Sequence, residues 1–283
     1  MNRRKRKAAL CACSDPLAEN RRPQIEQLIN MLKARGLDVE LSPWLFECGD
    51  PESGRSKANV LNGFFADPEV EFIFDVSGGE LANTVLRHLD YDAIWKSNAH
   101  FYGFSDLTTV INAIYTRTGR EAVNYQVRNI AALNGDVQYF DRAVLQHKIA
   151  AGDLEAVMLR GESMRGCVIG GNLRCMLKLA GTQFWPDMRG KILLIESLGG
   201  GVSQMMTMIE QYLELGAAEQ ISGVLLGTFT NMEREGLKPS VEEIVLRAFP
   251  ERIPVAKTRF VGHGSNARAI VIGREIGIGK IGE

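Results

Sequence analysis

Short apolar runs alternate with stretches whose apolar positions recur every three or four residues, and this alternation continues along most of the chain. Residues 8–13 read as a buried strand, and Ile25, Leu28, Ile29 and Leu32 then mark one face of a helix that Gly36 ends. Strands at 37–41, 70–76 and 100–104 alternate with helices at 56–65, 81–89 and 107–118. Strands separated by helices imply right-handed crossovers and a doubly wound, mostly parallel sheet, which binds ligands at the carboxyl ends of its strands. Three of those ends carry Ser14-Asp15, Gly78-Gly79 and Ser105, so all three are expected to open on one crevice.

After Gly119 the pattern loosens. Residues 124–162 hold a polar helical stretch around 142–149 and no clear strand, as expected of a segment covering the first domain. A second unit follows, with strands at 167–170, 192–195 and 221–226, helices at 173–180, 202–215 and 241–249, and a strand, loop and strand from 255 onward. The expected fold is thus α/β with two domains. Residues 1–125 form an N-terminal domain, 126–164 a linking and covering segment, and 165–283 a smaller C-terminal α/β domain.

Composition narrows the function classes. A chain of 283 residues, 45% hydrophobic and 24% charged, can bury a large core, and its net charge of −1 provides no field for nucleic acid or an anionic membrane. The basic run Arg3-Arg-Lys-Arg-Lys7 precedes an apolar stretch too short for a signal peptide and reads as a solvated tail. No run approaches the roughly 18 apolar residues of a membrane helix, so the chain reads as cytoplasmic. The cysteines at 11, 13, 48, 167 and 175 form no Cys-x-x-Cys pair and are expected as small buried residues. Cys11 and Cys13 share a strand face, but no His or carboxylate follows at ligand spacing; neither a metal nor another cofactor is expected. Gly199-Gly-Gly201 lacks the spacing and the lysine of a nucleotide-binding loop.

The candidate chemistry centres on Phe101-Tyr-Gly-Phe-Ser-Asp-Leu-Thr-Thr109, where an apolar strand runs into a serine and then directly into a helix. Such an elbow lifts a hydroxyl out of the sheet and aims the first N–H groups of the helix at it, although a serine there can equally be a helix cap. A nucleophilic serine needs a base and a group to orient that base. Of four histidines, His88 reads as part of a packing helix, His100 begins a buried strand and His147 lies in the covering segment. His263 stands between two glycines in Phe260-Val-Gly-His-Gly-Ser-Asn266, a loop able to carry an imidazole across a cleft. Glu196 ends the buried run Lys191-Ile-Leu-Leu-Ile-Glu196, where a carboxylate is either bound or solvated; Asp106 competes with it but is suited to stabilising the turn.

With these residues the chain resembles the LD-carboxypeptidase family of serine peptidases, which also contains the microcin self-immunity proteins. The carriers are Ser77-Gly-Gly79, Leu89-Asp-Tyr-Asp92, Gly103-Phe-Ser-Asp-Leu-Thr108, Ile169-Gly-Gly-Asn-Leu173, Gly181-Thr182 with Trp185-Pro-Asp187, Ile192-Leu-Leu-Ile-Glu196 and Gly262-His-Gly264. The resemblance implies a first domain like class I glutamine amidotransferases, a Ser105-Glu196-His263 triad, and a cytoplasmic homodimer. It implies a peptide substrate, the murein tetrapeptide, whose terminal D-alanine is removed; the alternative is the amide of an aminoacyl-nucleotide. The oxyanion donors expected are the backbone N–H groups of Gly79 and Asp106. Val123-Asn-Tyr-Gln126 and Ser197-Leu-Gly-Gly-Gly201 depart from the family pattern near the cleft, and Asn172, Arg174 and Lys257 are unranked candidates for a substrate carboxylate.

Overall fold

The computed structural model describes residues 6–46, 53–132 and 135–280; Cys48 and the start of the basic run lie outside them. The first unit comprises β1 (Arg6–Cys11), α1 (Arg22–Lys33), β2 (Leu37–Leu41), α2 (Ser53–Ala66), β3 (Val70–Asp75), α3 (Tyr91–Lys96), β4 (His100–Gly103), α4 (Thr108–Thr118) and β5 (Ala122–Asn124). The strands lie in the order β2-β1-β3-β4-β5, all parallel, so the winding reverses between β1 and β3. A crevice forms at that reversal in sheets of this kind. The apolar stripe read from the sequence is what α1 buries, with Ile25, Leu28 and Leu32 inward. The helix expected at 81–89 is instead a 3-10 turn, Ala82–His88, followed by α3. The break falls at Asp90, whose carboxylate accepts from Ala93 N at 2.9 Å and starts a new helix.

The covering segment differs from expectation. A short helix α5 (Val137–Tyr139) passes into a π turn, Phe140–Val144, whose Phe140, Ala143 and Val144 are buried against the first sheet. Residues Val157–Arg160 form a strand, β6. Its outward positions, Val157 and Leu159, are apolar although exposed, so the sequence Val-Met-Leu-Arg carries no apolar and polar alternation to identify a strand.

The second unit continues with β7 (Ser163–Asn172), α6 (Leu173–Leu177), β8 (Lys191–Ser197), α7 (Val202–Glu214), α8 (Ala217–Gln220), β9 (Gly223–Phe229), α9 (Thr230–Glu235), α10 (Val241–Ala248), β10 (Val255–Lys257), β11 (Ile270–Ile272) and β12 (Glu275–Gly279). Its sheet runs β12-β7-β8-β9-β10-β6, with four parallel central strands and an antiparallel strand at each edge. β11 leaves this unit and pairs antiparallel with β5, giving the first sheet six strands as well. One continuous apolar core includes Leu107, Val110 and Ile111 of the first unit together with Val168, Ile169 and Leu193 of the second.

Buried hydrogen bonds between α4 and β7 join the units. Asn112, wholly buried, donates Nδ2 to Gly170 O at 2.9 Å and accepts from Gly170 N at 2.9 Å. One turn earlier on α4, Thr108 Oγ1 accepts from Asn172 N at 2.9 Å. The approach is close enough that a Cβ on Gly171, whose φ is +138°, would come 2.6 Å from Thr108 Oγ1. Asn112→Ala would leave both backbone groups of Gly170 without partners in a dry interface, and should destabilise the protein by about 3 kcal/mol. Denaturant unfolding of the variant beside the wild type checks this.

Candidate active site

Ser105 has a φ of +59°, in the left-handed region that an L-residue occupies at a cost. It follows Phe104, which is extended, and opens a 3-10 turn, Ser105–Leu107, that runs into α4. The local geometry is thus a strained strand-to-helix elbow with the hydroxyl at its apex. Around it the carboxyl ends of β1 and β3 meet in the Asp15 and Gly78 bridge, bringing together the three strand ends read from the sequence.

The turn is held from beneath by Asp106. Its wholly buried carboxylate accepts from Ser14 Oγ at 2.7 Å, Ala82 N at 2.8 Å and Lys178 Nζ at 2.5 Å. Burial pushes this carboxyl upward, but the Lys178 ammonium and the two neutral donors outweigh it and hold it below the ordinary carboxylate range. A depressed folded value adds stability that is present at neutral pH and is lost as the pH falls through that value. The stability advantage of the wild type over Lys178→Met should therefore be greatest near neutrality and fade in acid, as read from urea unfolding across a pH series.

His263 and Glu196 converge on Ser105 from the second unit. His263 Nε2 lies 3.2 Å from Ser105 Oγ, and His263 Nδ1 lies 2.9 Å from Glu196 Oε2, although the Nδ1–H bond is not aimed along that line. Catalytic hydrogen bonds in unliganded sites are often this loose and tighten around substrate. With its proton on Nδ1, the ring presents an Nε2 lone pair to the hydroxyl. Glu196, at 0% exposure, also accepts from Asn172 Nδ2 at 3.0 Å. The imidazole is packed edge-on against Phe104, with ring centroids 4.6 Å apart. Its loop passes tightly over β9: Gly262 has a φ of +150°, and a Cβ there would collide with Thr228 Oγ1.

The other histidines lie away from this chain of contacts. His100 and His147 lie against one another, with centroids 4.5 Å apart, and His147 Nε2 is 3.0 Å from Glu71 Oε1. His88 is half-buried beside the exposed Arg87. A cleft of about 350 Å³ opens over Ser105, lined by Gly79, Glu80, Asn172, Arg174, the 197–200 loop and α7. Of the unranked carboxylate candidates, Asn172 is committed to Glu196 and to capping α6, while Lys257 is held by Glu233 and Glu242. The link from Asn172 to Glu196 was not visible in the sequence; the one available signal is the pairing of adjacent strand ends, since β7 and β8 place Asn172 directly beside Glu196.

Cys11, Cys13 and Cys175 are buried and Cys167 partly so, all with free thiols. A carboxylate does stand beside Cys11 and Cys13, contrary to the spacing argument: Asp75, the registry partner of Cys11 on β3. It is engaged by Cys13 N at 2.7 Å, Ser77 N at 2.9 Å and Ser77 Oγ at 2.5 Å, and burial pushes its carboxyl above the usual range. These bonds tie β1 to β3 beneath the crevice.

The strain at Ser105 has a measurable consequence. Ser105→Ala and Ser105→Gly both lose the hydroxyl, but only glycine relieves the positive φ. Ser105→Gly should be the more stable of the two by about 1 kcal/mol, as measured by thermal unfolding of the pair.

Comparisons with known proteins place this geometry in context. Residues 8–125 match the family model for the LD-carboxypeptidase N-terminal domain, and residues 165–278 match that for the LD-carboxypeptidase C-terminal domain. The murein tetrapeptide carboxypeptidase of Pseudomonas aeruginosa is 25% identical over 88% of this chain and 86% of its own. The microcin C7 self-immunity protein MccF of Escherichia coli is 21% identical over 71% of this chain and 69% of its own. Among solved structures, an MccF-like protein from Bacillus anthracis has a TM-score of 0.84 at 22% identity, covering 99% of this chain and 94% of that one. Wild-type MccF has a TM-score of 0.86 at 17% identity, covering 98% and 94%. With both of its halves matched in order by the two domain models, the chain belongs to the LD-carboxypeptidase family.

Proposed function

We propose that this protein is a serine-type LD-carboxypeptidase that removes the terminal D-alanine from the murein tetrapeptide, with Ser105 as nucleophile, His263 as base and Glu196 as the group that orients the base. The observation that carries this reading is the unbroken run of contacts at 3.2 Å and 2.9 Å from a strained serine hydroxyl through an imidazole to a buried carboxylate. That arrangement is what acyl transfer without a metal requires.

In the reaction, His263 takes the Ser105 proton as Oγ attacks the carbonyl preceding the terminal D-residue. The developing oxyanion is met by the backbone N–H groups of Gly79 and Asp106, from the loop after β3 and the first turn after the nucleophile. His263 then protonates the leaving amine, and the D-amino acid departs. Water enters, loses its proton to His263 and hydrolyses the acyl-enzyme, returning the serine. Glu196 stabilises the imidazolium in both halves, and Asn172 keeps that carboxylate from rotating away.

The names of the relatives support two substrates, and the cleft favours the peptide. An aminoacyl-nucleotide needs an aromatic face for its base, and the sequence candidates between the domains are Tyr125, Tyr139 and Phe140. All three are buried in the core of the first unit, and none of the described residues lining the cleft is aromatic.

Mass spectrometry of L-Ala-D-Glu-meso-diaminopimelate-D-Ala incubated with enzyme tests the reading. The wild type should release D-Ala, Ser105→Ala should lower kcat by about 10⁶-fold with the fold retained, and Glu196→Gln should lower it by about 10⁴-fold. Undiminished release by Ser105→Ala would show that another group is the nucleophile, and an intact tetrapeptide with the wild type would direct attention to aminoacyl-nucleotides.

A further inference from the structure

An enzyme that removes only the last residue of a peptide must sense the free carboxylate at its end. That carboxylate sits one residue beyond the scissile carbonyl, about 3.8 Å further along the chain. Among the described residues lining the cleft, Arg174 is the single cation. It lies in the first turn of α6, with its Nη2 3.5 Å from the carbonyl oxygen of Gly79, the residue whose N–H group is assigned to the oxyanion. The neighbouring cations are engaged elsewhere. Lys178 is committed to the buried Asp106 carboxylate and to Glu80 O, and Lys257 to Glu233 and Glu242.

Arg174 is paired with Glu80, which also lines the cleft, across the junction of the two units. Both side chains are substantially exposed, at 46% and 62%. An exposed pair of this kind is weak in water, so a carboxylate arriving in the closed, partly dehydrated complex can displace Glu80 from the guanidinium. Arginine's planar fork suits a carboxylate in two-point contact, which fixes orientation as well as charge.

We propose that Arg174 is the specificity residue that anchors the substrate's terminal carboxylate, and that Glu80 is the counter-ion it releases on binding. This rests on the reading of the site as a carboxypeptidase. It defines the substrate class as peptides whose final residue bears a free, unmodified carboxylate. Glu80 keeps the guanidinium aimed into the cleft while substrate is absent and competes with substrate for it.

The test compares hydrolysis of the tetrapeptide with that of the same peptide carrying a C-terminal amide. The wild type should prefer the free acid by about 10- to 100-fold in kcat/KM, the range expected of one charge-assisted contact. Arg174→Met should bring the free acid down to the level of the amide, mainly through KM, and Arg174→Lys should retain part of the preference. Glu80→Gln should lower KM for the free acid. A merely structural defect would depress both substrates alike. Full preference for the free acid in Arg174→Met would overturn the proposal while leaving the carboxypeptidase reading intact. Cleavage of neither peptide by the wild type would overturn both.

Discussion

The buried hydrogen bonds between α4 and the end of β7 are the constraint on which the site depends. Ser105 belongs to the turn that opens α4, while Glu196 is the registry neighbour of Asn172 at the end of β7. Two sheets sharing only apolar contacts could slide by an ångström at little cost, because apolar packing is not directional. The paired bonds of Asn112 with Gly170, and of Asn172 N with Thr108 Oγ1, specify a single alignment. A shift of that size at the site would break the contact between Ser105 and His263, so the interface sets the distance between them.

The same economy appears around the serine of the elbow. Ser105 is held in a conformation that its own backbone disfavours, and the surroundings supply the restraint. Asp106 is anchored by groups from three separate segments, and Asp75 joins β1 to β3 below it. The floor of the site is therefore a network of satisfied buried carboxylates and donors, whereas its rim is solvated and carries the exposed Arg174 and Glu80 pair.

Much of this was legible in the chain. Helix α1, strand β2 and the elbow at Ser105 each follow from short-range patterns, because periodicity, terminating glycines and turn chemistry are properties of neighbouring residues. The less legible parts involve edges and partners. β6 escaped notice because an edge strand with exposed Val157 and Leu159 has no alternation to detect, and β11 gives no local sign that it will cross to the first sheet. The break at Asp90 likewise depends on one side-chain cap within a run of plausible helix formers.

By itself the sequence determined that the chain would form alternating strands and helices, that Ser105 would stand at a strand-to-helix elbow, and that His263 would ride on a glycine-flanked loop. Those outcomes depend on backbone preferences acting over a few residues. Only the tertiary structure decided which groups meet: that Asn172 serves Glu196, that Lys178 neutralises Asp106, that Asp75 joins the two cysteines, and that Arg174 alone among the candidate cations faces the cleft. Each of these pairings joins residues on different strands or different units. Their partners are chosen by sheet register and by the buried interface, which no local pattern encodes.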